Sequence, residues 1–160
     1  MEFKSILLRQ DGPIARIVLN RPKRLNALNW TMLDELGTAI EKIRNDDSCR
    51  VLVITGAGKA FCAGGDIKEF PERFELDQIE RRNAISRFHK NVIIALRGIE
   101  RPVLASVNGD AIGGGCDFAM ACDIRIASEK ARFGVPFLRL GLVSDLGGSY
   151  FLPRLVGLGK

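Results

Sequence analysis

The chain has one histidine, one tryptophan and one tyrosine in 160 residues, and its four cysteines, Cys49, Cys62, Cys116 and Cys122, form no C-x-x-C pair. With His89 as the only imidazole, ordinary zinc-ligand spacing is missing and no metal site is expected. No apolar run approaches the roughly 18 to 20 residues that a membrane span needs. Met1-Glu2-Phe3-Lys4 does not begin the basic-then-apolar pattern of a secretory leader. The chain is therefore read as cytoplasmic, or of a matrix-type compartment, and in such reducing surroundings the cysteines are read as small core residues. A P-loop is missing as well. Gly113-Gly114-Gly115 is not followed by Lys-Ser/Thr, and the G-x-G-x-x-G of dinucleotide sites does not occur.

Charge is nearly balanced. The 24 Lys and Arg against 19 Asp and Glu leave a net charge of +5, scattered rather than blocked. That argues against a nucleic-acid arm and suits a small anionic ligand. Arg81, Arg82, Arg87 and Lys90 form the one basic cluster. It has no aromatic platform beside it, so RNA binding is set aside, and the cluster is read as a solvated helix face. His89 lies in the same pattern and is given no role.

What remains, 46% hydrophobic and 27% charged, is the balance of one globular domain. Residues 5–10 and 13–19 are β-rich runs joined by Asp11-Gly12, which predicts a hairpin. Leu33, Leu36, Ile40 and Ile43 give one apolar helix face, capped by Asn29 or Thr31 and ending near Asn45. Val51 to Ile54 reads as a strand covered on both faces and runs into a glycine-rich loop, Gly56 to Gly65. Ile85, Phe88, Val92, Leu96 and Ile99 predict a second helix over 76–99. Residues 102–107 repeat the buried strand, glycines 109 and 113–115 repeat the loop, and 116–121 read as a helix. Short strands are expected over 123–127 and 131–133; the segment from Leu146 to Leu155 receives no assignment. The order is α/β. Each glycine loop follows a buried strand and can present backbone N–H groups where a side chain would block approach, so two converging loops suit a developing oxyanion.

Asn20-Arg21-Pro22, Asn26-Ala27-Leu28, the run from Gly58 to Lys68, the run from Pro102 to Gly109, Gly113-Gly114-Gly115-Cys116-Asp117 and Ala121-Cys122-Asp123-Ile124 strongly resemble the crotonase, or enoyl-CoA hydratase/isomerase, superfamily. The resemblance implies a crotonase-like spiral of repeated ββα units over residues 1–160, binding an acyl-CoA thioester, with coenzyme A entering as part of the substrate and no separate cofactor. It also implies a homotrimer or hexamer. Members usually carry further C-terminal helices, and the stop at Gly159-Lys160 without a polar capping helix is what a piece of a longer protein would show. Apolar surface around Phe151, Leu152 and Val156 is then expected to be exposed.

Carried over by position, the resemblance makes the N–H groups of Gly65 and Gly114 the two oxyanion donors. Ala63 matches the backbone that meets the adenine, Lys68 and Arg24 lie near the coenzyme phosphates, and Asp66 joins this substrate-binding group. The segment from Phe70 to Leu76 would help to line the acyl pocket. The two glutamates of a hydratase correspond to Asp117 and Phe137, and a phenyl ring moves no proton. A further acid, Asp145, matches the aspartate of dienoyl-CoA and ring-opening enoyl-CoA isomerases. These residues imply double-bond isomerisation with Asp117 and Asp145 as acid and base. Hydration is the alternative, and a non-catalytic acyl-CoA-binding member a further one.

Overall fold

The computed structural model describes residues 3–69 and 76–159. The expected hairpin forms from β1 (Ile6–Asp11) and β2 (Ile14–Leu19), antiparallel, with Asp11 opposite Ile14 and Gly12 at φ +54° in the turn. Helix α1 (Trp30–Arg44) follows. Of the two candidate caps, Asn29 takes the role: its side chain accepts from the Met32 N–H at 3.0 Å, while Thr31 lies inside the first turn. Leu33, Leu36, Ile40 and Ile43 are all buried, so the spacing read from sequence is the face that packs.

From there the chain winds by a repeating path. A strand joins a large sheet, a short strand joins a small one, and a helical segment returns. β3 (Val51–Gly56), β5 (Val103–Val107) and β7 (Ile124–Ala127) extend β2 in parallel, giving the order β1-β2-β3-β5-β7. β4 (Ala60–Cys62), β6 (Asp110–Ile112) and β8 (Phe133–Gly134) form a second parallel sheet in that order. The returning segments are α2 (Gln78–Phe88) with its extension, α3 (Gly114–Ala121), and a 3-10 turn at Pro136–Leu140. Parallel strands need such crossovers, and regular repetition of one crossover makes a spiral.

Two expectations are refined. Leu52 and Ile54 of β3 are fully buried but Val51, Val53 and Thr55 only half, because α1 and the segment around Val92 and Leu96 cover one face of the large sheet. The helix over 76–99 starts at the Asp77 cap, with Glu80 completing a capping box. It then widens into a π-turn over His89–Ile94 before a last turn at Ala95–Arg97. The unassigned tail holds α4 (Gly148–Val156). Val156 is 47% exposed, Leu155 and Tyr150 are exposed beside it, and Phe151 and Leu152 are half-buried. Among the described residues no helix is long and apolar enough to cross a membrane, and no group of three or more His, Cys, Asp or Glu could hold a metal ion. All four cysteines are free and buried. The expected contribution of residues 70–75 lies outside the described residues, although Leu76 does reach the cavity below.

Candidate active site

The glycine loops converge because two backbones approach more closely than any side chain would permit. A Cβ on Gly115 would lie 2.2 Å from the Cys62 carbonyl oxygen, so the first turn of α3 rests directly on β4. Gly64, at φ +92°, is also close: a Cβ there would lie 2.8 Å from the Ile112 carbonyl oxygen and 3.3 Å from the Gly114 nitrogen. The left-handed geometry of Gly113 (φ +55°) turns the chain from β6 into α3.

Asn26 holds the other side of the loop. This buried residue, itself at φ +56°, accepts from the Arg21 N–H at 2.9 Å and donates to the carbonyls of Ala57, Ala60 and Phe61. Asn108 adds bonds to Gly56, Gly58 and Ala60 from the β5 side. Leu28 then bridges Gly65: its N–H donates to the Gly64 carbonyl at 2.8 Å and its carbonyl accepts from the Asp66 N–H at 3.0 Å. Such a bridge occupies the peptide groups flanking Gly65 and leaves its own N–H turned away. The Gly114 N–H is likewise at the open first position of α3, where the helix dipole is positive.

Both glycines line one cavity of about 640 Å³. Its wall is mostly apolar, with Leu28, Trp30, Leu33, Phe88 and Phe137 among the contributors. Asp145 is the one carboxylate and Arg81 the one cation that line it among the described residues. Arg81 therefore belongs only in part to the solvated face that was expected: it lines the outer groove beside Arg82 and Lys90 as well as this cavity. It is half-buried, donates to the Leu76 carbonyl at 3.0 Å and faces the cavity, while Arg82, Arg87 and Lys90 remain exposed.

Asp117 sits elsewhere. It is fully buried in the first turn of α3, is not part of the cavity wall, and accepts from the Ser144 hydroxyl at 2.7 Å. Burial pushes its carboxyl above the usual range; the bonds from the Ser144 hydroxyl and the Leu146 N–H oppose that shift, and nearby Asp145 adds to it. Asp66 is also buried and pairs with Arg21 at 2.8 Å. Burial would raise its carboxyl, but the Arg21 guanidinium and the Lys68 N–H together hold it below the usual range. Ala63 is half-buried, with its N–H donating to the Leu25 carbonyl, and Lys68 and Arg24 are exposed on 3-10 turns at Ile67–Glu69 and Pro22–Arg24. Both cations lie within the loop cluster that carries Gly65, and the Arg24 charge acts on Asp66. Sequence reasoning missed Asn26 and Asn108 as organisers, Ser144 as the partner of Asp117, and Trp30 and Arg81 as cavity wall. An asparagine set directly against apolar residues, as in Asn26-Ala27-Leu28, was the available signal for the first.

A spiral of paired strands with Gly65, Gly114 and Asp145 around one apolar cavity is the arrangement that the crotonase resemblance implies. The family profile described as enoyl-CoA hydratase/isomerase matches residues 9–160, and the chain belongs to that family. It is 46% identical over 160 residues to the short-chain-enoyl-CoA hydratase of Clostridium acetobutylicum and 40% identical to the crotonyl-CoA hydratase of Syntrophomonas wolfei, covering 99% of this chain in each case. It spans 60% of the length of both. The crystal structure of a putative enoyl-CoA hydratase from Streptomyces coelicolor superposes with a TM-score of 0.92 at 34% identity, over 99% of this chain and 58% of that one.

Proposed function

We propose that the protein acts on an unsaturated acyl-CoA and moves its carbon–carbon double bond through a thioester enolate. The observation that carries this is Asp145. It shares the cavity with Gly65 and Gly114, while Phe137 occupies the wall where the resemblance puts a hydratase's second glutamate and Asp117 is sealed away. In this reading the thioester oxygen accepts from the N–H groups of Gly65 and Gly114, each worth roughly 3 to 4 kcal/mol of barrier. The Asp145 carboxylate removes a proton from the carbon next to the double bond. Electron density moves onto the thioester oxygen, and the protonated Asp145 returns the proton at the far end of the new allylic system. Coenzyme A belongs to the substrate, and no other cofactor is called for. Lys68 and Arg24 supply the cations for its phosphates, with Ala63 at the adenine.

Hydration is the second reading, and the names of the relatives support it better than they support isomerisation. Presenting 2-unsaturated and 3-unsaturated acyl-CoA esters and following mass and ultraviolet absorbance separates the two. Isomerisation leaves the mass unchanged, whereas hydration adds one water. Water addition at a rate above isomerisation would refute the main reading, and binding without either change would leave an acyl-CoA-binding protein. A homotrimer or hexamer fits the exposed Ile124, Ile126, Phe133 and Leu138; sedimentation tests it, a monomer counting against it.

A further inference from the structure

We propose that Asp117 is a positioning residue that acts through Ser144 to hold Asp145 at the cavity, and does not itself carry a proton. The inference rests on Asp145 being the acid–base group described above. Three observations lead to it. First, no reacting atom has a path to Asp117. The residue has no exposed surface, and a Cβ on Gly148 would fall 2.1 Å from its Oδ1, so the start of α4 is closed against the carboxyl. Leu146, itself buried, lies over Gly114 and forms the cavity wall on that side.

Second, the segment that carries Asp145 is held by side-chain contacts and not by backbone pairing: Leu146 packs into the core, and its N–H and the Ser144 hydroxyl both act on the Asp117 carboxyl. Among the described residues, no backbone-to-backbone hydrogen bond is made by residues 143–146, between the turn that ends at Leu142 and the one that begins at Gly147. The 2.7 Å bond from the Ser144 hydroxyl to Asp117 Oδ2 ties this stretch to α3. Gly148 reinforces the tie from the other side, because a Cβ there would also lie 2.2 Å from the Ser144 Oγ.

Third, Ser144 and Asp145 are neighbours with different surroundings. Ser144 bonds Asp117 behind the wall, while Asp145 lines the cavity together with Val143 and Leu146. Fixing Ser144 therefore fixes the direction of Asp145, one residue away, relative to Gly114 on the same helix as Asp117. Displacing a reacting group by about 1 Å costs on the order of 10²-fold in rate, so one hydrogen bond in this place has leverage on catalysis.

The test compares Ser144→Ala, Asp117→Ala, the double variant and Asp117→Asn, assayed on a 3-unsaturated acyl-CoA. Ser144→Ala and Asp117→Ala should each lower kcat by about 10- to 100-fold with KM within about 3-fold, and the double variant should be no slower than the worse single. Asp117→Asn keeps an oxygen that accepts from Ser144, so its kcat should return to within about 5-fold of the parent. A purely structural role would not give this rescue together with a kcat-only loss. If Asp117→Asn is as slow as Asp145→Asn, Asp117 carries a proton and the proposal is overturned; a Ser144→Ala variant at the parental rate overturns it too. Should Asp117→Ala fail to fold, the near-isosteric Asp117→Asn and Ser144→Ala decide alone. Asp145→Asn at the parental rate refutes the assignment of the base, an outcome separate from those concerning Asp117.

Discussion

Replacing Gly115 by alanine tests whether the approach of α3 to β4 builds the site. The new methyl would sit 2.2 Å from the Cys62 carbonyl oxygen and 2.7 Å from the Cys62 Cβ, and both neighbours are backbone or directly attached to it. Neither yields by a rotamer change. Ordinary contact begins near 3.5 Å, so strand and helix must part by roughly 1 Å. Alanine regains up to about 1 kcal/mol of helix propensity, but forced overpacking costs about 1 to 3 kcal/mol. We expect a net loss of about 1 to 2 kcal/mol in urea unfolding. The larger effect is on the chemistry. β4 leads to Gly65 and α3 begins at Gly114, so the two amides part by the same roughly 1 Å, and kcat should fall by about 10²-fold. The control is Ile40→Ala, a fully buried change on α1 that costs about 2 to 5 kcal/mol in stability while leaving the glycine loops in place. A Gly115→Ala protein as unstable as expected but with parental kcat would show that α3 and β4 set only the core.

Asp117→Asn should raise stability at neutral pH. The buried carboxyl binds its proton more tightly folded than unfolded, so its contribution is fully present below about pH 4 and is lost as pH rises through the raised folded value. Melting temperatures should converge at acid pH and separate in favour of Asn above it; the opposite trend would refute the burial argument. Arg21→Ala should cost about 3 kcal/mol by leaving Asp66 buried without its partner. Because the folded Asp66 carboxyl titrates low, this stabilisation is complete above about pH 4 and fades as pH falls further, so a pH-independent difference in urea midpoint would count against the ion pair. Phe137→Glu should add hydration of a 2-unsaturated acyl-CoA at least about tenfold above the parent, read as the mass of one water. No gain in a folded, ligand-binding variant would mean that position 137 does not face the reacting carbons.

The hairpin, the buried face of α1 and the two strand-to-glycine-loop passages were legible because each rests on local rules. Asp11-Gly12 suits a tight turn, apolar spacing of three and four fixes a helix face, and glycine stands where backbones must touch. The π-turn over His89–Ile94 and helix α4 were not legible. Both depend on packing: α4 has a proline inside it and a glycine before it, which read locally as a loop.

The site divides along the same line. Gly65 and Gly114, and Phe137 where the resemblance puts a hydratase's second glutamate, were visible in the chain. The roles of the two aspartates were not, since the sequence offers Asp117 and Asp145 as equals. Only the tertiary structure separates them, sealing one beneath Gly148 and Ser144 and setting the other on the cavity wall. Similarly Arg81 carries the same charge as Arg82, yet the winding of α2 turns the first inward and leaves the second in water. Composition and spacing determine which groups are available; solvent access and distance, which decide what a carboxylate or a guanidinium does, come from elements far apart in sequence.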